Sequence, residues 1–324
     1  MKYRGLGKTG LKISEISFGA WSIGASWGEQ SEKDSIAALH KALDLGVNFI
    51  DTALAYGNGK SEKIIGKVLS DRSEEVYVAT KIPPKVGAWP PTPYCKIEER
   101  YPEEYLRESL ETCLKNLNTE CIDILQLHTW TRAWNKYPSA LEVLQKFKKE
   151  GKIRYIGVST PEHDQNALIG LMKGGWLDTV QVIYNIFEQE PVAEFLPTAL
   201  EQEVGVIVRM AFDEGILTGK YTPDHQFPKE DFRSKYFEGD RLERAVRRVE
   251  KIKSDLQTSG FTMPQAALKF AMKPPAVSTV ISGIRNAQQA ERNTAVADMP
   301  DLPEEYMEML RHHYWVRAFW YTGK

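Results

Sequence analysis

The 324-residue chain predicts a (β/α)8 barrel, eight parallel strands closed into a ring with helices outside, preceded by an N-terminal β-hairpin. Two observations carry this. Short apolar runs, most rich in Val and Ile as strands buried on both faces should be, alternate with longer helical patterns along nearly the whole chain. The runs are Ile16–Ala20, Asn48–Ala53, Val76–Ile82, Ile122–His128, Tyr155–Ser159, Thr179–Tyr184, Val204–Met210 and Thr279–Gly283. Eight such units also suit the length, since these barrels run about 250 residues, or roughly 31 per unit. A doubly wound open sheet shows the same alternation, but it wants a glycine-rich turn after its first strand. No internal repeat or linker divides the chain, so residues 1–324 read as one domain.

The chain opens with RGLGKTGLKIS, Arg4 to Ser14, in which Gly5 to Gly10 spell a literal G-x-G-x-x-G. A dinucleotide-binding glycine loop follows a hydrophobic strand and opens a helix. Here only Met-Lys-Tyr-Arg precedes the first glycine, and Leu11–Ile16 alternates apolar and polar residues like a strand with one face buried. Gly7-Lys8-Thr9 also lacks the upstream glycine of a Walker loop. The glycines are therefore the turn of a small hairpin, and any cofactor is held elsewhere. Further along, SEKDSIAALHKALDLG and PEEYLRESLETCLKNLNT read as helices, the second with Leu106, Leu110, Leu114 and Leu117 on one face. Glycines in DLGVN and KEGKI are helix stops. The length beyond a minimal barrel lies in the hairpin, the Pro-rich loop PPKVGAWPPTPYCKIEERY and the stretch after Asp298.

Composition narrows the function. With 42% hydrophobic residues the chain can bury a large core. A net charge of −2 and no basic run with interleaved aromatics argue against nucleic acid. No stretch of 18 apolar residues exists and the N-terminus lacks a signal-peptide core, so no membrane partner is expected and the cytoplasm is the expected location. Cys95, Cys113 and Cys121 fit neither a disulfide framework nor zinc-ligand spacing, so no metal is expected.

In a barrel of this kind, working residues sit at the C-terminal strand ends and in the loops after them. Asp51 ends NFIDTA, Tyr56 follows in LAYGNGKSE, Lys81 ends VYVATK and His128 ends DILQLH. Asp51 and Lys81 fall on adjacent strands. Each alone has an ordinary reading: Asp51 as a turn cap, Tyr56 as a loop aromatic, His128 as a satisfied core histidine. Lys81 is harder to set aside, because Lys is almost never fully buried without a partner, and Asp51 is the natural one. Together they bring a carboxylate, a phenol, an ammonium and an imidazole to one pocket.

With these residues the chain resembles the aldo-keto reductases, NAD(P)H-dependent carbonyl reductases built on a (β/α)8 barrel. The resemblance rests on GVNFIDTALAYGNGKSE, ATK, DILQLH, GKIRYIGVST, VQVIYN, GILTGKY and VISGIRNAQQAERN, and it covers about nine-tenths of the chain. It implies that the hairpin closes the barrel bottom and that Asp51, Tyr56, Lys81 and His128 form the catalytic tetrad. Tyr56 would donate the proton, its pKa lowered from about 10 by Lys81, which Asp51 would hold charged; neutral His128 would orient the substrate oxygen.

The resemblance also implies that Ser159 and Gln181 hold the nicotinamide amide, although Thr160 stands where similar reductases carry Asn. Asn185 reads equally as a turn residue or a contact. Arg209 stands where an aromatic ring commonly stacks on the nicotinamide, and a planar guanidinium can stack too. Gly283, Arg285, Gln289 and Asn293 fall where similar reductases hold the adenosine end. Arg285 suits a 2′-phosphate, which argues for NADP (NADPH), while Arg292 replaces a common Glu. A solvated amphipathic helix is the ordinary reading of that stretch.

The expected substrate is a small carbonyl compound of unknown identity, and the oligomeric state is open. Trp21, Trp27 and Trp130 are candidate walls of an apolar pocket, with Trp89, Tyr94 and the tail HHYWVRAFWY as candidate covers. The expected function is NADPH-dependent reduction of an aldehyde or ketone. The alternative is an NADP(H)-binding redox-sensing regulatory module with little turnover, since some relatives regulate membrane channels. A barrel hydrolase lacks a metal cluster or nucleophile motif.

Overall fold

The protein is described by a computed structural model covering residues 1–24, 28 and 30–317. Strands β1 (Tyr3–Gly5) and β2 (Lys12–Ser14) form the antiparallel hairpin, with Arg4 opposite Ile13. The barrel strands follow as β3 (Ile16–Gly19), β4 (Phe49–Asp51), β5 (Tyr77–Ile82), β6 (Ile122–Leu127), β7 (Ile153–Ser159), β8 (Thr179–Ile183), β9 (Gly205–Arg209) and β10 (Val277–Gly283). All pair in parallel in chain order, and β10 closes the ring between β9 and β3. Every expected run is a strand. Two of them, β7 and β10, begin two residues earlier than the apolar pattern suggested. The ladder explains the first case: Ile153 already pairs with Ile122 at the start of β6, across the polar interruption of Arg154.

The helices follow the expected physics. Ser31 caps the helix Glu32–Asp44 by accepting the Asp34 N–H, and Glu103–Leu117 buries Leu106, Leu110, Leu114 and Leu117. Two apolar cores result, one between barrel and helices and one inside the barrel. The inner core joins hairpin residues Leu6, Leu11 and Ile13 to Phe49, Tyr77, Ala79, Ile124, Ile207 and Ile281. The hairpin thus plugs the N-terminal end of the ring. Lys8 donates to the Glu203 carbonyl at 2.7 Å, just before β9, and Ser14 N–H to Asn48 Oδ1 at 2.8 Å, just before β4. Gly7 is required there: its φ is +52°, and a Cβ would strike the backbone nitrogen of Gly205.

The inner core also positions the polar residues. Side chains on a strand face one side every second residue. Phe49, Ala79, Ile124, Ile207 and Ile281 fill the lower layer, so Asp51, Lys81, Gln126 with His128, Arg209 and Gly283 lie on the same inward face above it. A single period-two register stacks apolar plug below and polar site above. No helix among the described residues is long and apolar enough to cross a membrane.

Candidate active site

At the top of the barrel Lys81 is fully buried and its ammonium makes three hydrogen bonds. It donates to Asp51 Oδ2 at 2.7 Å, to the Thr52 carbonyl at 2.7 Å and to the Tyr56 hydroxyl at 3.1 Å. Tyr56 reaches this point because the turn after β4 folds tightly against the short helix Trp21–Gly24. Gly57 sits at φ +64°, where a Cβ would strike the Gly24 carbonyl, and a Cβ on Gly24 would strike the Tyr56 carbonyl. His128 directly follows β6, and its ring lies 5.7 Å from that of Tyr56. The structure therefore brings all four expected residues together.

Asp51 is held from its other side as well. Gln181 Nε2 donates to Asp51 Oδ1 at 2.7 Å and Gln126 Nε2 to the same atom at 3.3 Å. Gln126 was not singled out in the sequence, though its place two residues before His128 on the inward face of β6 is the signal for it. Room for it exists because its neighbour is Gly157, where a Cβ would press on Gln126 Cγ and Thr179 Oγ1.

Burial lowers the Lys81 pKa, but the Asp51 carboxylate and the hydrogen bonds to Asp51 and Tyr56 outweigh it, so the lysine ends raised and cationic. Tyr56 departs from expectation. Burial raises its pKa more than Lys81 lowers it, and Asp51 adds to the rise, so the phenol ends above its ordinary value. The lysine offsets a desolvation penalty rather than producing a net drop. His128 is pushed well below its ordinary range, first by burial and then by Lys81 and Arg209, and is neutral. Its Nδ1 is buried without a hydrogen-bond partner among the described residues. An orphaned acceptor is the commoner burial and an orphaned N–H the rarer, so the ring proton belongs on Nε2.

Aromatic rings frame this centre. Trp21 packs edge-on to Tyr56 at 4.8 Å and Trp89 edge-on to His128 at 5.6 Å. The Pro-rich loop reaches over because Arg100 ties it down, donating to the Lys85 and Ala88 carbonyls at 2.8 and 2.9 Å. Two expectations are corrected. Trp130 is no pocket wall: it is fully buried, edge-on to Trp134, with its indole N–H on Asn135 Oδ1 at 2.7 Å. Tyr94 does not cover the pocket, since it stands almost entirely in solvent. Trp27 and residues 318–324 of the tail lie outside the described residues.

The remaining strand ends offer places for a dinucleotide. Ser159 and Gln181 are buried side by side at the ends of β7 and β8, in ladder register with each other. The Thr160 hydroxyl turns away, donating to Gln165 Oε1 at 2.7 Å. Asn185 is the turn residue of its two readings: it accepts from the Phe187 and Glu188 N–H groups and donates to the Met210 carbonyl at 2.9 Å. Arg209 ends β9, donates to the Thr160 carbonyl at 3.0 Å and pairs with Glu162 at 3.6 Å.

Beyond β10, Gly283 is open on its inward side, and Asn286 caps the helix Ala287–Thr294. Gln289 accepts the Arg285 N–H at 2.8 Å, and Asn293 reaches the Gly283 carbonyl at 3.4 Å. Arg285 Nε donates to Gln30 at 2.9 Å. Two further cations gather here. Lys220 is pulled down by burial, Arg233 and Arg285, and Arg285 by burial and Arg233. Arg233 clasps Asp231 and donates to the Tyr221 hydroxyl at 2.6 Å. Asp231 is the carboxylate common to all three cations. Crowding a buried Arg233, a half-buried Arg285 and an exposed Lys220 at one corner is the donor chemistry of a phosphate site. Neither Lys220 nor Arg233 was assigned from sequence, although Lys220 lies in the quoted GILTGKY. Among the described residues no group of side chains is arranged to hold a metal ion.

Comparison with known proteins agrees with this geometry. The model of the Aldo/keto reductase family matches residues 15–314. The aldo-keto reductase YhdN of Bacillus subtilis is 31% identical over 297 residues, covering 90% of this chain and 87% of that protein. An NADH-specific methylglyoxal reductase of Escherichia coli is 27% identical, covering 92% of this chain and 94% of its own. Among solved structures, a glycerol dehydrogenase from Gluconobacter oxydans superposes with a TM-score of 0.79 at 27% identity, covering 96% and 94% of the two chains.

Proposed function

The chain belongs to the aldo/keto reductase family and is an NAD(P)H-dependent oxidoreductase; on that premise we propose that it reduces a small aldehyde or ketone with NADPH, Tyr56 giving the proton. The observation that carries the reading is the Asp51–Lys81–Tyr56 chain of hydrogen bonds, buried beside a neutral His128. Reduced nicotinamide, when bound, supplies the hydride that adds to the carbonyl carbon. The protein must then meet the negative charge growing on the oxygen. Tyr56 is protonated throughout the neutral range, so it is an acid at every working pH. As its proton leaves, the Lys81 ammonium at 3.1 Å stabilises the phenolate left behind, and Asp51 keeps that ammonium charged. His128 Nε2–H orients the oxygen without competing for the proton, because the ring is neutral. Trp21 and Trp89 flank Tyr56 and His128 edge-on and give the site apolar walls.

Cofactor choice rests on the cations. Lys220, Arg233 and Arg285 suit a phosphate-rich ligand, with Arg285 on the 2′-phosphate, Gly283, Gln289 and Asn293 beside the adenosine, and Ser159 and Gln181 at the nicotinamide. Arg209, held by the Thr160 carbonyl and Glu162, would stack on that ring. A relative named for NADH leaves NADP preference to be earned from Arg285 itself. The three cysteines are free thiols, as suits a reducing compartment, and the cytoplasm is the proposed location.

The test is a single turnover with NADPH and an activated aromatic aldehyde, run beside Tyr56→Phe. Rapid loss of reduced nicotinamide that disappears in the variant supports the reductase. Tight NADPH binding with equally slow oxidation in both would favour a nucleotide-holding regulatory module. Arg285→Gln should weaken NADPH and leave NADH unchanged; equal weakening of both would remove Arg285 from the 2′-phosphate.

A further inference from the structure

The C-terminal segment crosses the top of the barrel after the helix Glu304–Arg311. Trp315 N–H donates to the Phe187 carbonyl at 2.9 Å, and its ring packs edge-on to Phe187. The segment then buries Arg317 completely. Its guanidinium lies over the Phe187 and Trp315 rings and donates to Asp213 Oδ1 at 2.6 Å and to the Tyr236 hydroxyl at 3.0 Å. Neither member of the Arg317–Asp213 pair is exposed.

Asp213 belongs to the loop 210–219, which joins Arg209 at the end of β9 to Lys220. Met210, Asp213 and Glu214 all hold positive φ, at 57°, 48° and 56°. Left-handed backbone at residues other than glycine is strained and persists only where the surroundings over-determine it. The loop is also crowded with acid: Glu214 and Glu188 are both pushed up to about 7 by burial, with Asp213 adding to each. Arg209 and Arg233 face Glu214, but the ion pair of Asp213 is with Arg317. A buried carboxylate stripped of its cation is strongly destabilised, so the loop keeps this conformation while the C-terminal segment is docked.

We infer that Arg317 is a positioning residue that acts through Asp213 to hold loop 210–219 over the bound cofactor, so that the C-terminal segment governs cofactor release. This rests on the nucleotide site proposed above. A dinucleotide reaching from Tyr56 to Arg285 must pass the loop that links Arg209 to Lys220. The groups proposed to meet the carbonyl, Tyr56, Lys81 and His128, all lie outside the loop, so loosening it should change residence of the cofactor and leave the hydride step intact.

The experiment follows NADPH dissociation by stopped-flow, and separately the single-turnover rate at saturating NADPH, in the full chain. Arg317→Met should speed dissociation about tenfold or more, since such effects fall mainly on the off-rate. The single-turnover rate should stay within about threefold, and Arg317→Lys should recover part of the residence time. A folded Arg317→Met with the wild-type dissociation rate overturns the inference, as does a hydride step that falls in parallel with binding. Should that variant fail to fold, Arg317→Lys, which keeps a cation for Asp213 but not the paired contact with the Tyr236 hydroxyl, is read in its place: dissociation faster than wild type supports the inference and a wild-type rate overturns it. Failure of the wild type to bind NADPH would instead overturn the nucleotide site, and the inference with it.

Discussion

Replacing Lys81 by Met separates the stability of the site from its chemistry. The substitution keeps most of the side-chain length and deletes three hydrogen bonds, to Asp51, Thr52 and Tyr56. Asp51, 2% exposed, is left as a buried carboxylate with amide donors from Gln181 and Gln126 on Oδ1 and no cation on Oδ2. Removing one partner of a buried pair costs about 3–5 kcal/mol, and the two amides place this case near the lower figure. A domain with about 5–15 kcal/mol of stability survives that. Pairing Lys81→Met with Asp51→Asn removes the stranded charge, so most of the lost stability should return. Activity should not return, because Tyr56 has lost the ammonium that stabilises its anion; general-acid assistance is worth about 10²- to 10⁴-fold. Urea unfolding and single-turnover NADPH oxidation read the two quantities independently. A Lys81→Met protein as stable as wild type, or a double variant that regains turnover along with stability, would refute the reasoning.

Three other perturbations follow from the same structure. His128 is held neutral with its pKa well below its ordinary value, so the unfolded chain takes up a proton that the folded one refuses. Stability is then fully present above about pH 6.5 and is lost as pH falls toward the folded pKa; His128→Asn should flatten that loss in acid melts, and an unchanged slope would contradict it. Glu214 has the opposite linkage: its folded pKa, pushed up to about 7, exceeds the unfolded value near 4.3, so stability falls between those limits as pH rises. Glu214→Gln should raise the melting temperature at about pH 8 and leave it unchanged near pH 4; equal effects at both would count against a buried acid. Gly7→Ala, placing a Cβ against Gly205 at positive φ, should cost at least about 2 kcal/mol in urea unfolding while folded molecules keep their turnover. An unshifted midpoint would mean that the hairpin does not plug the barrel.

The strands were legible because a parallel strand buried on both faces leaves an uninterrupted apolar run, and the site was legible where a polar residue breaks such a run at its end. Asp51, Lys81 and His128 stand out in this way, and Tyr56 follows from the turn after Asp51. Local pattern could not say which tryptophan faces the pocket: Trp89 packs on His128 while Trp130 belongs to the core. Nor could it give the direction of the Tyr56 pKa, which depends on how burial compares with one ammonium.

The sequence by itself determined the ring of strands and the hairpin and pointed to Asp51, Tyr56, Lys81 and His128 as the candidate site, because these depend on periodicity and on residue type at short range. Only the tertiary structure decided that Gln126 and Gln181 converge on Asp51 from 75 and 130 residues away. It alone gathered Lys220, Arg233 and Arg285 into one cationic corner, and it alone set Arg317 on Asp213 across 104 residues. Closure of the barrel makes distant strand ends neighbours, and the cost or benefit of a charge there depends on what surrounds it, which chain order does not record.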